Sequence, residues 1–381
     1  MTDRSRDLAP DVLRGFALLG ILIVNIPFFA ISSFDGARGD SLNGTANIVS
    51  AFLMISLCAG KFYLLFSFLF GYSTSYIVRG EKQNRLRWVK RCALLMLVGV
   101  VHFSLLWHGD ILFMYGAFGF LLIPFLFSTD RSINISMGII YGISALLLVT
   151  VGSVAIASEI YFRDAVQPLP EFALDGILQQ GSFIEAIVPR LELWLWGIIG
   201  VGLLLQGGLA FVAFLAGIRA SRKSLLSSDL GFQTAPRMIR WGLGFGIPIQ
   251  LLVALIAVRN EISSEPSEAV YISSIFIAYL TAPLLAMAYM GIVLKLLQRK
   301  PGLVNWMRYP GKMSLTVYIS QSVLLSMVFG PWGLGLFQRL DLWVVMIIAI
   351  AIWLLLTAFA AVWFRRFHQG PMELFLSALT R

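Results

Sequence analysis

The chain has 381 residues, 58% of them hydrophobic and only 13% charged, and a mean hydropathy of +0.83. A soluble domain carries about 25% charged residues, so this balance excludes that class and points to a polytopic membrane protein. The net charge of +9 comes without a basic-aromatic nucleic-acid motif, so it reads as topology and contact with anionic lipid, not nucleic-acid binding.

A spanning helix needs about 20 apolar residues at ~1.5 Å each. Ten runs qualify in chain order: 11–34, 48–78, 90–107, 111–127, 133–157, 192–218, 240–258, 269–294, 312–329 and 342–364. The expected fold is therefore all-α, a polytopic membrane helical bundle of about ten transmembrane helices in a single domain over 1–381. With the N-terminus inside and the loops alternating, 22 of the 29 Lys and Arg fall in inner segments and five in outer loops. By the positive-inside rule both termini are then expected to be cytoplasmic, in a multi-pass membrane protein. The first run lacks a small-residue cleavage site and reads as a retained helix. Cys58 and Cys92 lie in or beside apolar runs, which argues against a disulfide framework, and no metal spacing stands out.

Ionisable groups inside a span are costly and mark function by default. In the first run, "DVLRGFALLGILIVNI", Asp11 and Arg14 are three apart and share a helix face. They form either an interfacial ion pair or, through Arg14, a site for an anionic ligand. Asn25 lies ~16 Å further along the axis. Lys61 reaches mid-helix in the second run and needs a partner or a wet cavity. Runs three and four are joined by "HGD", which forces a tight hairpin. It places His108 and Asp110 at its rim, with His102 just before. A carboxylate in reach of an imidazole suits general-base work, because it orients the ring and stabilises its charged form. In run nine Tyr318, Ser320 and Gln321 stand out, and a mid-membrane Gln321 must find a hydrogen bond. His368, near the C-terminus, reads as structural.

The longest loop, 158–191, is acidic. Apolar residues at Phe172, Ile177, Leu178, Phe183, Ile184 and Ile187 suggest an amphipathic interfacial helix on the outer face, either covering helix ends or acting as a lid.

Five stretches, "DVLRGFALLGILIVNI", "KFYLLFSFLFG", "GVVHFSLLWHGDILFMYG", "GKMSLTVYISQSVL" and "GPMELF", together resemble the YeiB-like bacterial membrane proteins, formerly of unknown function. That family resembles the transmembrane acyltransferase superfamily, which includes the lysosomal heparan glucosaminide acetyltransferase. The resemblance implies an acyl-CoA-dependent membrane acyltransferase, with acetyl-CoA the foremost donor and no metal. Many of its surface-sugar acyltransferases place ten residues between an arginine and a catalytic histidine. Here Asn25 follows Arg14 at that spacing, and the next loop, "FDGARGDSLNGTAN", holds no histidine, which moves the base to His102 or His108.

The leading reading is then acyl transfer from cytoplasmic acyl-CoA to an extracytoplasmic or membrane-embedded acceptor. His102, His108 and Asp110 are the catalytic candidates. Arg14, Asn25, Lys61 and Gln321 are the binding candidates. The acceptor is a glycan, a lipid or a small molecule, the surroundings are membrane lipids, and a homo-oligomer is compatible. The alternative is a transporter or flippase for a small or lipid-linked substrate, with His102 and Lys61 titrating. A structural or regulatory role ranks third.

Overall fold

The computed structural model describes residues 8–78, 81, 84–162, 172–197, 202–203 and 206–380. Among them every regular element is helical. The helices are α1 (Leu8–Asn25), α2 (Pro27–Ala30), α3 (Thr45–Leu53), α4 (Lys61–Tyr72), α5 (Thr74–Val78), α6 (Arg85–Leu105), α7 (Leu112–Leu121), α8 (Asp130–Tyr161), α9 (Leu174–Gln180), α10 (Ile187–Trp196), α11 (Gly208–Arg222), α12 (Asp229–Trp241), α13 (Ile247–Glu261), α14 (Glu268–Arg299), α15 (Arg308–Lys312), α16 (Ser314–Phe329), α17 (Leu342–Trp363) and α18 (Pro371–Thr380).

Seven helical stretches are long and apolar enough to cross a membrane: Leu8–Asn25, Thr45–Val78, Arg85–Leu105, Asp130–Tyr161, Asp229–Glu261, Glu268–Arg299 and Leu342–Trp363. An eighth is broken, with Asn305–Lys312 and Ser314–Phe329 meeting at 80°. Two of the ten expected runs behave differently. Run 111–127 yields only the ten-residue α7, about 15 Å long, because Pro124 follows and the chain tightens into a 3-10 turn over Ile123–Phe127. Run 192–218 splits between α10 and α11, and part of it lies outside the described residues.

The helices hide their polar groups and show their grease. On α8, Ile139, Ile143, Leu146, Val149 and Ile160 are exposed, several by more than half. An apolar belt of this kind suits hydrocarbon and not water. The largest buried cluster runs from α1 through α4, α6, α11 and α14 to α17.

The breaks have causes. Pro27 ends α1 just after Asn25, since a proline donates no backbone N–H and crowds the preceding residue. The single run expected over 48–78 is broken by a π-helical stretch, Met54–Cys58, and by Gly60 in the left-handed region at φ +83°. Only glycine adopts that conformation without strain.

The segment around α15 ties the chain ends together. The start of α1 lies against Gly311 and Pro310, and Gly370 lies against Met313 and Thr316. Glu373 of α18 caps α16: its carboxylate accepts from Leu315 N at 2.8 Å, Thr316 N at 3.3 Å and Thr316 Oγ1 at 2.6 Å. A carboxylate at a helix N-terminus meets unpaired N–H groups and the positive end of the dipole. The "GKMSLT" and "GPMELF" stretches thus form one unit.

At the opposite end of the bundle, loops cover the helices. Part of the loop expected as interfacial, residues 163–171, lies outside the described residues. The described remainder forms α9, whose Leu174 and Leu178 pack with Phe337, Phe34 and Trp332. The apolar face of α9 is turned to protein. Asp175 fixes it by accepting from Ser33 N at 2.8 Å. Arg38, on the loop after α2, binds Glu261 at 3.0 Å and Glu268 at 2.5 Å and lies 3.9 Å over the Tyr271 ring. Burial opposes its charge, but the Glu268 and Glu261 carboxylates overcome that, and the guanidinium pKa ends above its ordinary value.

Candidate functional site

The α6–α7 hairpin is built by small residues. A Cβ on Gly99 would meet Phe113 N, and would sit 2.8 Å from Asp110 Oδ2. Glycine at 99 lets the two helices close and leaves room for the carboxylate. Asp110 precedes α7 and its Oδ2 accepts from Phe113 N at 2.8 Å, the geometry of a helix cap. Its Oδ1 then faces back to α6 and lies 2.9 Å from His102 Nδ1. The two atoms approach without full hydrogen-bond alignment, and neither meets another polar partner. His102 Nε2 lies 2.8 Å from Ser322 Oγ on α16. Asp110, His102 and Ser322 are all at most 5% exposed. Tyr318, one turn before Ser322, places its ring 5.1 Å from the imidazole and holds it from the side.

The result is a carboxylate, an imidazole and a hydroxyl in line, enclosed by helices. The carboxylate favours the Nδ1–H tautomer, which leaves Nε2 to accept a proton from the hydroxyl. A buried arrangement of this kind does general-base work on an O–H.

Asp110 also lines a cavity of about 430 Å3, together with Asn25, His108, Tyr63, Gln206 and Tyr279. Most of its other walls are apolar, among them Phe28, Phe62 and Phe276. His108 sits between this cavity and a smaller pocket of about 20 Å3 that Arg190, Leu325, Ser326 and Trp332 help to line. Burial lowers the His108 pKa to about 4, against a raising contact with the Ser33 backbone, and the Arg190 charge lowers it further. His108 is thus a neutral imidazole.

Arg190, at the start of α10, is only 2% exposed. It donates to Leu105 O at 2.9 Å and lies beside the Phe183 and Trp332 rings. It closes the end of α6.

The other expected residues lie apart from the His102 cluster. Lys61 is fully buried, and Nζ donates to Ile55 O at 2.8 Å and to Gln250 Oε1 at 2.6 Å. The Ile55 carbonyl belongs to the π-helical stretch. Gln250 in turn donates to Ala278 O at 2.8 Å and Thr281 Oγ1 at 2.9 Å. This chain ties α4, α13 and α14 together. Gln321 reaches from α16 to Leu18 O on α1 at 3.4 Å. Arg14 pairs with Asp11 at 2.9 Å near the α15 end of the bundle, as its spacing implies. Its charge is close enough to Arg91 for the two to interact. His368 is exposed.

Ser322, Arg190 and Gln250 do not stand out in the sequence as site or partner residues. Ser322 had a signal: Tyr318, Ser322, Leu325 and Phe329 recur every three or four residues and all are buried. Among the described residues no group of three or more His, Cys, Asp or Glu could hold a metal.

Long apolar helices, outward grease, an internal cavity and buried ionisable groups define a polytopic helical protein of the membrane class. Residues 220–381 match the family described as Protein of unknown function (DUF418). The chain is 26% identical to the uncharacterized protein YxaH of Bacillus subtilis (strain 168), over 95% of this chain and 91% of that protein. It is also 26% identical to the uncharacterized protein YeiB of Escherichia coli (strain K12), over 98% and 96% of the two chains. An uncharacterized 39.9 kDa protein of Bacillus acidopullulyticus is 26% identical over 95% and 90%. The chain is thus similar to YxaH and YeiB over nearly its whole length.

Proposed function

We propose that this protein is an integral membrane acyltransferase of the bacterial plasma membrane. It crosses about ten times, with both termini cytoplasmic, and moves an acyl group from cytoplasmic acyl-CoA, foremost acetyl-CoA, to an acceptor in or beyond the outer half of the bundle. The observation that carries this reading is the His102–Asp110 pair at 2.9 Å, with Asp110 in the wall of a cavity of about 430 Å3. That pair is the general base. An ionisable pair held inside a membrane bundle is a functional candidate by default.

The donor side rests on charge. The segments on the N-terminal side hold most of the basic residues. Arg14 and Arg91, close together there, attract the CoA phosphates. Asn25 and His108 line the acceptor end of the cavity. Asn25 is placed to stabilise the oxyanion that forms at the acyl carbon. Lys61 and Gln321 hold the helices around it. Acetyl-CoA binding to purified protein in nanodiscs tests this reading. Binding should saturate, and Arg14→Ala should weaken it about tenfold, about 1.4 kcal/mol for one phosphate contact. Wild-type protein that is folded and binds no acetyl-CoA would remove the donor.

One observation favours a transporter instead: the helix pair Asn305–Lys312 and Ser314–Phe329 is bent by 80°, and broken helices beside a cavity are a transporter feature. Against it, the N-terminus of α16 is already occupied by Glu373. Substrate-driven proton uptake into proteoliposomes without added acyl donor would support transport.

A further inference from the structure

The geometry around His102 restricts which hydroxyl the base can reach. The imidazole has two nitrogens. Nδ1 faces Asp110 at 2.9 Å, and Nε2 faces Ser322 Oγ at 2.8 Å. Tyr318 covers one side of the ring, and His102 itself is 2% exposed. An acceptor hydroxyl from outside therefore meets neither nitrogen while Ser322 is in place. The first hydroxyl that His102 meets is the protein's own.

Ser322 is linked to both spaces of the site through its neighbours. Leu325 and Ser326, one turn further along α16, line the small pocket shared with His108. On the other side Asp110 lines the large cavity.

We infer that Ser322 is a nucleophile and that transfer runs by double displacement, an inference that rests on the acyltransferase reading. Ser322 Oγ forms a bond to the thioester carbonyl carbon as the C–S bond breaks. The Oγ proton passes to His102 Nε2 and from there to the departing thiolate, which leaves as free CoA thiol. The acyl group is now an ester on Ser322. Acylated Oγ has no proton to share and turns with its acyl group away from Nε2, so an acceptor hydroxyl then gives its proton to Nε2, bonds to the same carbon, and displaces Ser322 Oγ, which takes the proton back. The sum is one acyl group moved from sulfur to the acceptor oxygen, with no oxidant or metal needed. Asp110, 2.9 Å from Nδ1, orients the ring in both halves.

The test uses full-length protein in nanodiscs and two probes. A fluorophosphonate reagent modifies base-activated serines and needs no acyl donor. Acetyl-CoA without acceptor traps the intermediate. The expected result is fluorophosphonate on the Ser322 peptide, reduced at least 100-fold in His102→Gln and absent in Ser322→Ala. An acetyl ester on the same serine should be released by hydroxylamine. Ser322→Cys, nearly equal in volume, should take up acetyl as a thioester, which separates chemistry from misfolding. Each variant is checked by size exclusion.

Acetyl-CoA turnover that persists in Ser322→Ala would overturn the serine and leave the acyltransferase standing, with direct transfer. Labelled Ser322 without turnover of any acyl-CoA would keep the nucleophile and remove the donor. Folded protein with neither label nor turnover would overturn both.

Discussion

His102 on α6 and Ser322 on α16 are 220 residues apart in sequence and 2.8 Å apart in space. The contact is the point where the hairpin carrying Asp110 meets the helix capped by Glu373. It lies inside the bundle, between residues at most 3% exposed. Everything else in the site is arranged around it: Asp110 behind the ring, Tyr318 beside it, and the cavity beyond the carboxylate.

The room at Gly99 is a prediction about catalysis. Gly99→Ala puts a methyl group against Asp110 Oδ2 and Phe113 N. The carboxylate must shift from His102. We expect acyl turnover to fall about 100-fold, since small misplacements of a catalytic group cost that much. The melting temperature should fall too, because the methyl also presses on Phe113 N and lies 2.8 Å from Phe113 Cα, both backbone atoms. Turnover assays beside thermal unfolding check both halves.

Lys61 should behave as a structural lock. Gln250→Leu takes one of its two acceptors and leaves the buried Nζ short of a partner, at a cost of about 1–3 kcal/mol. Lys61→Met combined with Gln250→Leu should recover much of that loss, because both partners then become apolar. Unfolding of the two single variants and the double variant in mild detergent measures the coupling. A double variant as unstable as the sum of the singles would contradict the lock.

His108 gives the stability a pH dependence. Its folded pKa is lowered to about 4 by burial, against about 6.5 in an unfolded chain. Between these values the unfolded state binds more protons, so stability rises with pH. The contribution is fully present above about pH 6.5 and is lost as pH falls toward 4. His108→Gln should flatten the difference in melting temperature between pH 7 and pH 5. Wild type with equal melting temperatures at both would contradict the buried neutral ring.

The cap on α16 should be separable from the chemistry. Glu373→Ala removes three acceptor contacts from Leu315 and Thr316 and should cost about 1–2 kcal/mol. Proteolysis should then cut earlier near Gly370. Hydrogen exchange at Leu315 and Thr316 is the direct readout.

What was legible in the sequence depended on distance along the chain. Composition and apolar runs give the membrane class and most helices, because a spanning helix is a local property. A histidine–aspartate pair was legible, since the turn at Gly109 brings Asp110 back towards His102 or His108, and the structure pairs it with His102. Asp11 and Arg14, three apart, were legible too. Ser322 was not, because its partner comes from another helix. Its neighbours Ser320 and Gln321 drew attention in its place, although Ser320 is less buried and Gln321 points to α1. Arg190 looked like a loop charge and is instead enclosed by Phe183 and Trp332. Lys61 announced that it needed a partner, but nothing local named Gln250. The broken run over 48–78 was hidden because π-helical turns leave hydropathy unchanged.

The central claim is that His102, oriented by Asp110, is the base of acyl transfer. The most direct measurement is release of free CoA thiol from acetyl-CoA and longer acyl-CoA by purified protein in nanodiscs, comparing wild type with His102→Gln. The account predicts slow, saturable release by wild type and a loss of about 100- to 10,000-fold in the variant, with both proteins equally folded. Equal release by the two proteins, or none by wild type with any acyl-CoA, would contradict it.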